Sequence, residues 1–138
     1  MPTKMLVMVK RKPGLTPEEF RYGYENYHSR LGVELFGHLW AEYRRNYIGG
    51  GYAFAQRGEG EPDGPDEIGF DAISEVVFKD DNALAEMAII SAANRDRIVE
   101  DESRWFHQKR CWMVTCETVE EDLAARWALS APRIGKSN

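Results

Sequence analysis

The chain begins with a short apolar run that is followed by a long amphipathic segment. Residues Met5–Arg11 place Met-Leu-Val-Met-Val between charged residues, a pattern typical of a buried strand. A Pro-Gly pair then ends the run. Thr16 is placed as a helix N-cap, with Pro17 at the first helical position and Glu19 completing a capping box. The sequence therefore predicts a strand and then a helix that runs to about Phe36.

Apolar side chains recur at steps of three and four residues along this predicted helix, which marks one buried stripe. His28 lies at the border of the stripe, and Gly37 is the expected stop. A lone histidine beside a face that packs on a sheet is a candidate acid or base. The stripe consists of Phe20, Tyr24, Tyr27, Leu31 and Leu35.

Alternation predicts three more strands, at His38–Tyr47, Phe70–Phe78 and Gln108–Thr118. In the first of these, strict alternation places Trp40 on one face and Tyr43 on the other. Aromatic side chains on both faces indicate that neither face of the sheet is left in water.

Helical patterns separate the third and fourth strands, one from residue 82 to about Ser91 and one over Asn94–Arg104. Residues 56–69 are rich in Gly, Pro, Asp and Glu and are typical of an exposed loop. The order strand, helix, strand, strand, helix, strand predicts an α+β fold, a ferredoxin-like four-stranded antiparallel sheet with helices on one face. Pairing of the uncovered faces predicts a homodimer.

Length and charge limit the function classes. A chain of 138 residues is expected to form one domain, which we place at residues 1–118. A C-terminal tail, residues 119–138, is expected to be helical over Glu120–Leu129 and frayed after it. A net charge of −5 argues against nucleic-acid and membrane surfaces, and no apolar segment is long enough to span a bilayer. The expected location is cytoplasmic.

The two cysteines are not expected to form a disulfide with each other. Cys111 and Cys116 differ by an odd number of positions, so on one strand they face opposite sides and cannot pair.

With these elements in place, the chain resembles the EthD-domain family. The resemblance covers residues 4–117. It rests on Pro-Gly-Leu-Thr-Pro-Glu-Glu-Phe at residues 13–20, on Tyr-Glu-Asn-Tyr-His at 24–28, and on supporting stretches at 70–75, 80–81 and 101–106. The resemblance implies a dimeric α+β barrel. Within the family, the chain looks most like the polyketide-tailoring branch, whose members dehydrate or decarboxylate hydroaromatic intermediates. Where the family often has Asp, this chain has His107.

The resemblance makes a cofactor-independent lyase acting on an aromatic polyketide the leading hypothesis. His28 is the expected general base or acid, because imidazole exchanges protons near neutral pH. A phenol from Tyr24, Tyr27, Tyr43 or Tyr47 is the expected partner, and His107 is a possible second acid. The expected walls for a flat substrate are aromatic: Phe20, Trp40, Tyr43 and Trp112.

Two other functions stay open on the sequence. A cofactorless monooxygenase or cyclase uses the same fold, and a non-catalytic small-molecule-binding accessory dimer needs no titratable groups in its pocket. No cofactor or metal is expected, since His28, His38, His107 and Asp101 show no ligand spacing. The triple glycine at 49–51 lacks the lysine and helix of a phosphate loop.

Overall fold

The apolar run near the start of the chain forms an internal strand of the sheet in the computed structural model, which describes residues 3–130. This strand, β1 (Lys4–Val9), pairs on one side with β3 (Ala72–Phe78) and on the other with β4 (Trp112–Cys116). β2 (Trp40–Tyr47) pairs with β3 and completes the order β2-β3-β1-β4, with every pairing antiparallel. The predicted ferredoxin-like fold is confirmed.

The predicted first helix forms over its expected length but in three segments. An α-helix, α1 (Pro17–Gly23), passes into a π-helical turn at Tyr24–His28 and then into α2 (Ser29–Phe36). The capping box forms as predicted: the Glu19 backbone N–H donates to the Thr16 hydroxyl at 3.1 Å, and the Glu19 carboxylate accepts from the Thr16 N–H at 2.9 Å. The N-terminal cap of this helix is therefore formed by residues that are neighbours in the sequence.

The remaining helices are α3 (Pro65–Ile68), α4 (Ala83–Ala93), α5 (Arg95–Trp105) and α6 (Leu123–Ser130). Short 3₁₀ turns precede β2 and β4, so both strands begin later than the alternation predicts. None of the helices within residues 3–130 has the length and apolar composition needed to cross a membrane. The last part of the predicted tail, residues 131–138, lies outside the described residues.

The core lies between the helices and one face of the sheet and divides into two clusters. Each fully buried apolar side chain contributes about 1.5–3 kcal/mol, so these clusters hold the helices against the strands. The first comprises Met5, Phe36, Leu39, Val76, Phe78, Ala83 and Met87. The second comprises Val9, Phe20, Tyr24, Ala72 and Phe106.

A bulge in β2 changes which face Trp40 occupies. Trp40 is opposite Phe78 and Glu42 is opposite Val77, so one residue between them is left without a partner. The Trp40 ring consequently lies on the helix side, 4.8 Å from the ring of Tyr43. The prediction that Trp40 and Tyr43 face opposite sides is wrong, because a bulge breaks the two-residue period.

A cluster of charges ties the end of β1 to the start of β3. The Asp71 carboxylate accepts from the Arg11 backbone N–H at 2.8 Å and from its guanidinium at 2.5 Å, and Lys10 Nζ lies 3.5 Å away. Asp66 from α3 binds the same two cations. We call Asp71, Arg11, Lys10 and Asp66 the strand-end clasp. It attaches α3, a short helix within the predicted loop 56–69, to the end of β1.

Candidate active site

A cavity of about 330 Å³ lies between the sheet and the helices. Its floor comes from β1 and β4, and its roof comes from α2 and α5. Most of its surface is apolar, which favours the burial of an apolar ligand. The apolar wall includes Met5, Val7, Leu31, Leu35, Ile98 and Phe106.

His28 lines this cavity and is held by a carboxylate from α5. Its Nδ1 lies 2.6 Å from Asp101 Oδ2, and the two side chains are 21% and 12% exposed. The edge of the ring packs on Phe106, with 4.6 Å between ring centroids. In the neutral ring, donation from Nδ1–H to the carboxylate places the lone pair on Nε2. Within residues 3–130 no protein group bonds to Nε2, so that atom is free to accept a proton.

The π-helical turn sets the position of His28. The Ser29 backbone N–H donates to the Tyr24 carbonyl, five residues earlier, and the Ser29 hydroxyl donates to the Glu25 carbonyl at 2.9 Å. Just before this turn, Gly23 lies against Trp105 of α5, where a Cβ would approach the indole to 2.1 Å. Only glycine allows α1 to lie this close to α5, and that approach brings His28 to Asp101.

Two phenols share the cavity with His28. The Tyr24 hydroxyl lies 2.6 Å from the Ser74 hydroxyl, and both groups are buried. Burial, reinforced by the neighbouring Tyr43, raises the pKa of Tyr24 well above its ordinary value. Burial also raises the pKa of Tyr43. Both phenols therefore stay neutral, and they can donate hydrogen bonds to a ligand but cannot act as bases at neutral pH.

Behind the phenols lies a hydrogen-bonded network of Glu25, Arg45 and Tyr47. Arg45 donates to both Glu25 oxygens, at 2.6 and 2.7 Å, and the Tyr47 hydroxyl donates to the same carboxylate at 2.5 Å. These bonds, those of Arg45 first, lower the pKa of Glu25 to about 2 against the effect of burial. The network joins the π-helical turn to β2, and it occupies the Tyr47 hydroxyl away from the cavity.

The structure brings together some of the predicted site residues and separates others. His28, Tyr24 and Tyr43 line the cavity. Trp112 borders the cavity from the edge strand β4, but its pairing with Met8 places the Trp112 side chain on the opposite face of the sheet, where it is 60% exposed. Phe20 and Trp40 belong to the packing around it, on Tyr24 and Phe36 respectively. Tyr27 is 47% exposed and stacks on Trp105 at the outer surface. His107 lies in the turn between α5 and β4, where its backbone N–H donates to the Lys10 carbonyl at 2.8 Å.

Sequence reasoning gave Asp101 no part in an acid–base pair. A signal was present, because Asp101 lies three residues after Ile98 and four before Trp105, on the inner side of α5. A carboxylate at such a position needs a partner. The sequence could not identify that partner, since 73 positions separate the two side chains.

The thiols and possible metal ligands complete the inventory of the site. Cys111 and Cys116 are both free, and Cys111 lines the cavity, where burial raises the pKa of its thiol. In the part of the chain that the structure describes, no group of three or more His, Cys, Asp or Glu side chains could hold a metal ion.

The order of the strands and the helices that cover one face of the sheet define a ferredoxin-like α+β protein. Its cavity has the size of a small-molecule pocket and carries a histidine–carboxylate pair on its wall. Comparison with family models matches residues 12–109 to the EthD domain. The match covers more than half of the chain, and the protein belongs to the EthD family. No curated protein matches the chain.

Solved structures agree with this fold. An EthD-like protein from Ralstonia eutropha JMP134 superposes with a TM-score of 0.59 at 16% identity, over 88% of this chain and 96% of that one. An ethyl tert-butyl ether D (EthD) family protein from Bacillus halodurans C-125 gives 0.56 at 17% identity, over 86% and 100%. A dimeric ferredoxin-like protein from an uncultured marine organism gives 0.51 at 13% identity, over 88% and 99%. At these identities the likeness concerns the fold.

Proposed function

We propose that the protein is a cofactor-independent lyase that removes water or carbon dioxide from a hydroaromatic polyketide. The observation that carries the proposal is the His28–Asp101 pair on the wall of an apolar cavity. An oriented imidazole with one unengaged nitrogen is the equipment of a general acid or base, a role worth about 10²–10⁴ in rate. Asp101 acts as a positioning residue, since it reaches the cavity only through His28.

The chemistry needs few groups. In a dehydration, Nε2 of His28 removes the proton next to a ketone, and the hydroxyl leaves as water with the proton that the imidazolium then gives up. In a decarboxylation, Nε2 takes the carboxyl proton of a β-keto acid, carbon dioxide leaves, and the resulting enolate takes the same proton back from the imidazolium. Either path places negative charge on the ketone oxygen, which a neutral phenol of Tyr43 or Tyr24 can stabilise by donating a hydrogen bond.

The volume of the cavity supports a small substrate. Its volume of about 330 Å³ is at the lower end of the range of about 300–1,000 Å³ typical of ligand sites. The choice of a polyketide follows from the resemblance of the chain to the polyketide-tailoring branch of the family, with which the acidic insertion before β3 is compatible. An apolar cavity with aromatic and aliphatic walls is compatible with that choice.

The test is mass spectrometry of products after the purified protein is incubated with a panel of hydroaromatic β-hydroxy ketones and β-keto acids. A mass lower by water or carbon dioxide, formed faster than without protein, supports the proposal and identifies the bond that breaks. A mass higher by oxygen supports the monooxygenase instead. Binding without turnover across the panel supports the accessory binding protein. Both of those outcomes contradict the lyase.

We also propose that the protein assembles as a homodimer through the face of the sheet opposite the helices. By strand register, that face carries Leu6, Met8, Ile73 and Val114 beside Trp112, which is 60% exposed, together with the charged side chains of Lys4, Arg44 and Glu75. The apolar part of this face is costly to leave in water. In light scattering after size exclusion, wild-type protein should have the mass of a dimer and Trp112→Asp that of a monomer. Ile89→Asp, at a position 70% exposed on α4, is the control that stays dimeric.

A further inference from the structure

The inner face of α5 carries opposite charges at its two ends. Four residues at positions i, i+3, i+4 and i+7 line the cavity along this helix, and they read Arg-Ile-Val-Glu. They are Arg95, Ile98, Val99 and Glu102. Two apolar side chains thus separate a guanidinium at the start of the helix from a carboxylate near its end.

The two charges are too far apart to neutralise each other along the helix. Seven residues at 1.5 Å per residue separate their Cα atoms by about 10 Å. Glu102 is already engaged, since its Oε1 accepts from Gln108 Nε2 at 3.3 Å. Glu102 also follows directly on Asp101, so it marks the end of the helix at which His28 is held.

Arg95 has no acidic partner among residues 3–130. Its neighbour Arg97 binds Glu34, and Arg104 binds Glu100, both on outer surfaces. Arg95 is therefore the cation of α5 that borders the cavity and keeps its charge available. A guanidinium at the rim of an apolar pocket favours an anionic group on the ligand.

We infer that Arg95 is a specificity-determining residue that binds a carboxylate of an elongated aromatic ligand. The apolar part of the ligand lies along Ile98 and Val99, and its other end reaches His28. This inference rests on the proposed function for the identity of the site, and it adds the ligand's charge and the direction in which the ligand lies. Uncharged polycycles bind more weakly, because they leave the guanidinium without a partner.

The test compares two fluorescent three-ring ligands of the same shape, anthracene-2-carboxylate and anthracene-2-carboxamide. Fluorescence anisotropy should show the wild-type protein binding the carboxylate about tenfold more tightly than the amide, with the difference falling at high salt. Arg95→Gln should abolish the preference and leave the affinity for the amide unchanged. Arg95→Lys should retain part of it, because lysine keeps the charge without the planar fork.

Arg97→Gln is the matched control, since it removes a neighbouring arginine that faces away from the cavity. It should keep the wild-type preference. The inference would be overturned if Arg95→Gln preferred the carboxylate over the amide as strongly as the wild-type protein does. It would also be overturned if the wild-type protein bound neither ligand. Because the readout is binding, it fails independently of the lyase: Arg95-dependent binding without turnover leaves the inference intact and contradicts only the proposed reaction.

Discussion

Two carboxylates, Asp71 and Asp101, each bind a basic side chain from a distant part of the chain. Asp71 is 3% exposed, and its oxygens are occupied by the Arg11 backbone and guanidinium with Lys10 close by. Asp101 is 12% exposed and binds a histidine that borders a cavity and keeps one ring nitrogen unengaged. In the strand-end clasp, the Asp71 carboxylate is occupied by Arg11 and Lys10 and does not line the cavity, so we call it the closed pair. Across the described residues, the His28–Asp101 pair leaves Nε2 of His28 unbonded beside the cavity, so we call it the open pair.

The comparison shows what distinguishes a structural ion pair from a candidate site. Short distances and low exposure occur in both, so neither property identifies function. What differs is whether an atom able to exchange a proton remains free at the surface of a cavity. The predictions below test whether the open pair affects turnover and the closed pair affects stability.

The largest expected effect follows from removal of the imidazole. His28→Gln should lower the rate of product formation by about 10²–10⁴, because the proposed acid–base group is lost. The unfolding free energy should change by about 1 kcal/mol. The measurements are product formation by mass spectrometry and denaturant unfolding. Full activity in the variant would disprove the catalytic role, and failure to fold would show that the histidine is structural.

The closed pair should show the opposite behaviour. Asp71→Asn should lower the unfolding free energy by about 3 kcal/mol, because it removes the buried carboxylate and leaves Lys10 and Arg11 paired only with the exposed Asp66. Urea or guanidinium unfolding measures this change. Asp66→Asn is the matched control in the same clasp: with its side chain 63% exposed, it should cost about 1 kcal/mol or less. Equal effects of the two variants would contradict the distinction between a buried and a surface carboxylate.

Removing the charge of Asp101 while keeping its shape should weaken turnover less than loss of His28. Asp101→Asn should lower kcat by about 10- to 100-fold, the value of a hydrogen bond to a charged group. KM should stay unchanged, since Asp101 reaches the cavity only through His28. Steady-state kinetics separates the two constants. Glu100→Gln, exposed on the same helix, should match wild type. A change in KM with an unchanged kcat would place Asp101 in ligand binding instead.

The smallest expected effect concerns Glu25, which lies in the same π-helical turn as His28. Its carboxylate is occupied by hydrogen bonds from Arg45 and Tyr47. Its pKa is lowered to about 2 in the folded protein. The folded state therefore binds fewer protons than the unfolded state as pH falls, so the stabilisation is present above about pH 4.5 and is lost toward pH 2. At 35% exposure the effect is about 1 kcal/mol. The difference in unfolding free energy between wild type and Glu25→Gln should shrink over this range. A constant difference would contradict the lowered pKa.

Predictions that depend on neighbouring residues were the most successful. The Thr16–Glu19 capping box, the helix over 17–36 and the four strands follow from local pattern, and the structure contains all of them. Where an added residue or turn altered the local period, the prediction failed. The bulge near Trp40 is one case, and the π-helical turn over 24–28 is another.

The site was predictable only in part. His28 and Tyr24 were expected together because four residues on a helix share a face. The helical period also placed Tyr27 on the buried stripe, but the structure has it stacked on Trp105 at the outer surface. Tyr47 carried no local sign that its hydroxyl would be bound by Glu25.

The sequence by itself determined the order of the elements and the ferredoxin-like sheet, because caps, turns and alternation act between residues near one another in the chain. Only the tertiary structure decided which side chains from distant elements meet in the folded protein. Asp101 reaches His28 because Gly23 lets α1 lie close to Trp105 of α5, a contact between segments far apart in sequence. Such contacts depend on the packing of whole helices, so no local pattern encodes the pair that forms the candidate site.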